Sequence, residues 1–147
     1  MPQKGSNRIS TPLRVAVTGS RHGAEVSLLV YTLDRLHREH GIAYLIQGGA
    51  SGVDELARRW ADDEGVPYCT YHALWGAEGL AAGPNRNERM LRDARPDLLV
   101  AFPGGAGTAS CVRIARRLVI PVLSVPLAGS FAMQMPVRRM EAKGPRC

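Results

Sequence analysis

Short β-branched runs and stretches with helical spacing alternate along this chain. Arg14 to Thr18 is an apolar run that stops at Gly19. From Ala24 to Glu39, Val26, Leu29, Val30, Leu33 and Leu36 recur at the three- and four-residue intervals of an amphipathic helix. The unit then repeats. Ala43 to Ile46 reads as a strand, Gly48 to Gly52 as a turn, and Val53 to Glu64 as a helix that Gly65 and Pro67 terminate. Pro67 to His72 is a third predicted strand, and a loop from Ala73 to Pro84 leads to a short helix over Asn85 to Asp93. Leu98 to Phe102, a glycine loop, a helix to about Leu118 and the run Ile120 to Val125 complete the pattern.

Strands alternating with helices in short apolar runs predict an α/β fold, Rossmann-like and doubly wound, with a mostly parallel sheet of about five or six strands covered on both faces. Ligands of such sheets bind beyond the carboxyl ends of the strands, where strand order reverses. The loops opening at Gly19, Gly48 and Gly104 each follow a predicted strand and precede a helix, so they are expected to meet at one cleft.

Length and charge narrow this further. At 147 residues, with 45% hydrophobic and 22% charged positions, the chain suits one core without metal or disulfide support. The expected organisation is an N-terminal tail over 1–13, a Rossmann-like domain over 14–125 and a basic C-terminal tail over 126–147. The net charge of +6 belongs to the tails, because residues 14–125 hold 13 Lys or Arg against 12 Asp or Glu. A DNA-binding accessory role is therefore the less favoured reading, resting on Lys4 and Arg8 at one end and Arg138, Arg139, Lys143 and Arg146 at the other. Cys69, Cys111 and Cys147 form no CxxC pair and no His stands at metal-ligand spacing, so no metal is expected. A cytoplasmic setting is expected, since no apolar run suits a signal peptide or a membrane span. The apolar segment Ile120 to Met135 is a candidate interface for a homodimer or higher oligomer.

The chemistry lies in the loops. A helix N-terminus presents unpaired backbone N–H groups, and glycine lets a phosphate approach them closely. Gly104, Gly105 and Gly107 crowd the loop before the last helix, and Thr108 is placed to cap that helix and donate its hydroxyl to a phosphate oxygen. There is no GxxxxGK[ST], Gly19 to Gly23 does not spell GxGxxG, and Gln47 stands where a ribose-binding acid would end the second strand. A Walker-type NTPase and an ordinary NAD-dependent dehydrogenase are disfavoured.

Together, Val17 to Arg21, Gly48 to Asp54, Gly83 to Met90 and Pro103 to Thr108 resemble the SLOG superfamily, in its YspA/YpsA-like branch. The resemblance covers residues 14 to about 125. It implies a Rossmann-like fold and a nucleotide or nucleotide-derived ligand; relatives include the Lonely Guy phosphoribohydrolases, the DNA-processing protein DprA and molybdenum-cofactor carriers. The enzymatic relatives carry PGGxGTxxE and RKxxM elements whose Arg and Glu help break an N-glycosidic bond. Arg86, four residues before Met90, matches the Arg, but Asn87 replaces the Lys and Cys111 the Glu. The leading expectation is thus binding or sensing of a nucleotide-like ligand, with a nucleotide N-glycosidase as the alternative.

The candidate ligand-binding residues are Gly19, Ser20, Arg21, Gly48, Gly49, Asp54, Arg86, Gly104, Gly105, Gly107 and Thr108. Arg86 and Asp54 are also the candidate catalytic pair, and Arg21 suits a bidentate phosphate clamp. Asn85 and Glu88 have capping-box spacing. Cys111, on a stripe with Ala115 and Leu118, is expected in the core, as is Trp60. Trp75, in the long loop, is placed to stack on a base or close the pocket. His22 is the histidine to watch.

Overall fold

The computed structural model describes residues 11–126. Five strands, β1 (Leu13–Thr18), β2 (Ile42–Gln47), β3 (Tyr68–Thr70), β4 (Leu98–Ala101) and β5 (Val122–Ser124), form one sheet in the order β3-β2-β1-β4-β5. All four pairings are parallel. The chain works outward from the central β1 through β2 to β3, then crosses back to β4 beside β1. Strand order therefore reverses between β1 and β4, and the two glycine loops that follow these strands flank that point.

The strands alternate in the usual way, with successive side chains on opposite faces. Val15 and Val17 of β1 face a cluster containing Leu29, Leu33 and Leu36 of helix α1 (Val26–His40) and Ala57, Trp60 and Ala61 of α2 (Val53–Glu64). Ala16 faces the other cluster, where Met90 and Leu91 of α4 (Ala82–Ala94) meet Cys111, Ile114 and Ala115 of α5 (Ala106–Arg117). Both faces are covered, which is why the strand sequences read as nearly unbroken apolar runs.

Helix ends explain most departures from the sequence reading. α1 begins at Val26, not Ala24, and its buried stripe is Leu29, Thr32, Leu33 and Leu36, while Val26 and Val30 turn outward. Thr32 is tolerated inside because its hydroxyl donates to the Leu28 carbonyl at 2.7 Å. α2 ends where expected: Gly65 takes a left-handed conformation (φ 71°), and its N–H donates to the carbonyl of Asp62.

The predicted loop from Ala73 to Pro84 is largely helical. It contains α3 (Trp75–Glu78), a 3-10 turn (Gly79–Ala81) and the first turn of α4. Pro84 does not precede the helix; it occupies the third position of α4, where the missing N–H has no intrahelical acceptor to lose. Asn85 is therefore already inside the helix, and the expected capping box does not form. Glu88 instead accepts hydrogen bonds from Arg92 at 2.6 Å and from Arg117 on α5 at 2.5 Å.

The expected tails lie outside the described residues except at their inner ends, with β1 opening at Leu13. The candidate interface Ile120 to Met135 likewise runs beyond them. No helix among the described residues is long and apolar enough to cross a membrane.

Candidate functional site

The three loops predicted to converge are bonded to one another. Ser20, after β1, donates its N–H to the Pro103 carbonyl after β4 at 2.9 Å, and its own carbonyl accepts the N–H of Val53 at the start of α2 at 3.0 Å. The Ser51 hydroxyl adds a bond to the Arg21 carbonyl at 3.2 Å. Such close backbone approach requires glycine. A Cβ on Gly52 would lie 2.2 Å from the Ser20 carbonyl oxygen, and one on Gly19 2.4 Å from a methyl of Val53.

Above these contacts opens a cleft of about 350 Å³. Its walls are Thr18 to His22 on one side, Ala50, Asp54 and Arg86 on another, and Gly105 to Thr108 at the N-terminus of α5. A second compartment of about 220 Å³ continues from it, bounded by Gly48 to Ser51, His72, Ala73 and Trp75. Arg21, Ala50 and Arg86 line both compartments, so the two form one elongated site.

Of the residues proposed from sequence, Gly19, Ser20, Arg21, Asp54, Arg86, Gly105, Gly107 and Thr108 line the larger compartment, while Gly48 and Gly49 line the smaller. Gly104 lines neither. A Cβ there would collide with the Thr108 hydroxyl at 2.1 Å, so Gly104 makes room for Thr108. Thr108 itself is not the helix cap. α5 starts at Ala106, whereas a Thr108 cap would start it at Ala109, and Gly105 is the N-cap with no side-chain bond to the helix. Gly105 and Gly107 differ from Gly104, because a Cβ at either would have no heavy atom within 4 Å. Packing does not demand glycine at those two positions, and their bare backbone borders open space.

Asp54 and Arg86 hold the Gly48–Ala50 turn between them. Asp54 is buried, and its Oδ2 accepts the N–H groups of Gly48 and Ala50, each at 3.2 Å. Burial pushes its pKa above the ordinary value, against the opposing pull of the Ala50 N–H, the Arg86 charge, the Gly48 N–H and the Arg21 charge. Arg86 donates through Nη1 to the Gly48 carbonyl at 2.6 Å and to the Tyr71 carbonyl at 3.4 Å. Burial lowers its pKa, and the nearby Asp54 and Cys111 raise it.

Two polar residues near the site escaped the sequence reading. Asn87 is buried; it accepts from Arg86 Nε at 2.8 Å and donates to the Gly107 carbonyl at 3.4 Å, tying the guanidinium to the first turn of α5. The available signal was its spacing of three, four and seven residues from Met90, Leu91 and Ala94, which places it on the buried face of α4. Gln47, noted in the sequence only as a missing acid, supports the second loop: its side chain donates to Thr70 and accepts from the Gly49 N–H at 2.6 Å.

Cys111 is fully buried beneath the site, and burial pushes its thiol up to about 11, opposed by a hydrogen bond with Thr18 and the charge of Arg86. It is a core residue, and the low thiol pKa that a helix N-terminus can produce is absent. Among the described residues no group of three or more His, Cys, Asp or Glu is placed to hold a metal ion.

A doubly wound sheet with a basic, glycine-edged cleft at its switch point defines a Rossmann-like α/β protein. The model of the YspA, cpYpsA-related SLOG family matches residues 13–77, from β1 into α3. The Gene 61 protein of Mycobacterium phage D29 is 39% identical over 119 residues, spanning 76% of this chain and 94% of that protein. The chain belongs to the YspA, cpYpsA-related SLOG family. The X-ray structure of TM1055 has the same fold, with a TM-score of 0.58 at 22% identity over 74% of this chain and 71% of that one.

Proposed function

We propose that the elongated cleft binds a nucleotide or nucleotide-derived molecule, with a phosphate on the first turn of α5. The observation that carries this reading is the pair Gly105 and Gly107, whose backbone borders open space in the cleft that Arg21 and Arg86 also line. A helix N-terminus in a cleft that two arginines also line suits an anion through fixed dipoles and full charges alike. Thr108 adds a hydroxyl to the same turn. Asp54 Oδ1, which takes no part in holding the Gly48–Ala50 turn, is the acceptor for sugar hydroxyls. Membership of the SLOG family supports a nucleotide-related ligand.

The test is a thermal-shift panel of nucleoside monophosphates, NAD and ADP-ribose, with inorganic phosphate as the minimal probe. A ligand that binds the native state raises the melting temperature. A panel in which no compound shifts it sinks this proposal.

A second reading, nucleotide N-glycosidase, is favoured by one feature: a buried carboxylate with a raised pKa lines the cleft beside an arginine. Against it stands Cys111, whose protonated thiol supplies no carboxylate for a developing oxocarbenium ion. Incubation with the same nucleotides and chromatography of the products decides between the two, since free base and sugar phosphate appear only if the bond is cut. The DNA-binding alternative rests on the basic tails. It predicts affinity that falls steeply with salt and disappears when residues 1–12 and 127–147 are removed.

A further inference from the structure

Trp75 is the residue of the cleft that neither core explains. It begins the four-residue helix α3, stays 51% exposed, and lines the smaller compartment beside His72 and Arg86. The edge of its indole approaches Gly83 near the start of α4, where even a Cβ would stay 3.7 Å from the ring. Over the ring lies the guanidinium of Arg21, with Cζ 5.6 Å from the centroid. Arg21 is exposed, and it lines the anion compartment as well as this one. A cation on an aromatic face at a solvated site is a weak, exchangeable contact.

We infer that Trp75 is a stacking platform for an aromatic base, and that Arg21 occupies the platform until a ligand arrives. The base takes the face of the indole and Arg21 turns toward the phosphate on α5, so a single ligand spans both compartments. This rests on the anion-site reading above and deepens it: the ligand is a base-bearing nucleotide rather than a bare sugar phosphate. The geometry favours this arrangement because the same arginine borders both halves of the site. Stacking is tolerant of base identity, since every base offers a π-face. The platform therefore selects for the presence of a base and leaves the choice among bases to other contacts.

The experiment compares nucleoside 5′-monophosphates with ribose 5-phosphate by calorimetry on the full chain, in wild type, Trp75→Ala and Trp75→Phe, with circular dichroism to check folding. Wild type should bind the nucleotides about five- to a hundredfold more tightly than ribose 5-phosphate. Trp75→Ala should reduce nucleotide affinity to the ribose 5-phosphate level while leaving ribose 5-phosphate affinity unchanged, and Trp75→Phe should retain most of the preference. The chain has two tryptophans, so ligand quenching of indole fluorescence should survive Trp60→Phe and vanish in Trp75→Phe. An unchanged preference in Trp75→Ala overturns the platform and leaves the anion site standing, as does an equal loss for both probes. If neither probe binds wild type, the anion-site reading fails and the platform with it.

Discussion

Asp54 and Arg86 grip the same residue from opposite ends: the carboxylate accepts the Gly48 N–H at 3.2 Å and the guanidinium donates to the Gly48 carbonyl at 2.6 Å. These two charged groups are thus positioned through one backbone unit, and Gly48 is where their geometry is most easily disturbed.

Gly48→Ala should dislodge Arg86 and lower stability, because the Gly48 and Tyr71 carbonyls and Asn87 lose its hydrogen bonds. The added Cβ would fall 2.1 Å from Arg86 Nη1, at the end of a flexible side chain that can swing away. Nucleotide affinity should fall about tenfold or more, equivalent to about 1.4 kcal/mol. Calorimetric titration together with a melting curve checks both halves; a variant that melts normally and binds like wild type would show that Arg86 is dispensable.

Gly107→Ala should separate stability from binding. Its Cβ meets no protein atom, and alanine in place of a helical glycine stabilises by about 0.5–1 kcal/mol. The free protein should therefore melt slightly higher, while the new methyl group obstructs a phosphate seated on the turn. Undiminished phosphate affinity in this variant argues against an anion on the first turn of α5.

The pH dependence of Asp54 has a definite sign. Its folded pKa is raised, so the native state holds the proton more tightly than the unfolded chain. The stability this contributes is complete below the unfolded-state value of about 3.9 and is lost as pH rises through the folded pKa. Asp54→Asn keeps an oxygen for the Gly48 and Ala50 N–H groups and carries no charge. The free variant should be more stable than wild type at pH 7, and the difference should shrink toward pH 4. Denaturant titrations at several pH values measure this, and a variant less stable at pH 7 than at pH 4, relative to wild type, contradicts it.

Cys111 should resist alkylation in the folded protein. With the thiol at about 11, roughly one molecule in a thousand carries the thiolate at pH 8, and the side chain is closed to solvent. Site-resolved mass spectrometry after iodoacetamide should find Cys111 modified only once denaturant is added.

Val119→Gly should stabilise the fold. Val119 follows α5 with φ 61°, a left-handed conformation that a β-branched residue adopts at a cost, and its side chain is 86% exposed. Its N–H donates to the Arg116 carbonyl and that of Ile120 to Ala115, the bonding pattern in which helices usually place glycine. Relief of about 1 kcal/mol is expected, read as a rise in melting temperature.

The strands and the convergence of the loops were legible because both follow from short-range pattern: β-branched runs, glycine at their carboxyl ends, helices after them. Helix starts were less legible. Pro84 reads as the end of a loop before a helix at Asn85, yet the first turn of a helix accepts proline, so α4 begins before it. Thr108 reads as a cap, but its place against Gly104 inside α5 is decided by how closely the β1 and β4 loops approach. Arg86 could be named from its motif, whereas its bonds to Gly48 and Tyr71 depend on partners 38 and 15 residues away. Asn87 was hidden for the same reason, since its partner Gly107 comes from another helix.

The position of β1 at the centre of the sheet also governs when the cleft comes into being. β1 is made first, but its contact with β4 closes a span of 83 residues, as the bond from the Arg14 N–H to Asp97 shows. Long-range parallel pairing of this kind is slow, because the chain entropy is lost before the contacts that compensate it are made. A nascent chain that has emerged only as far as β3 already carries Arg21 and Asp54 but lacks Arg86 and the α5 turn. On the proposed reading, ligand capture would be confined to chains that have completed the crossover, and a nucleotide bridging the loops of β1 and β4 would hold that junction shut.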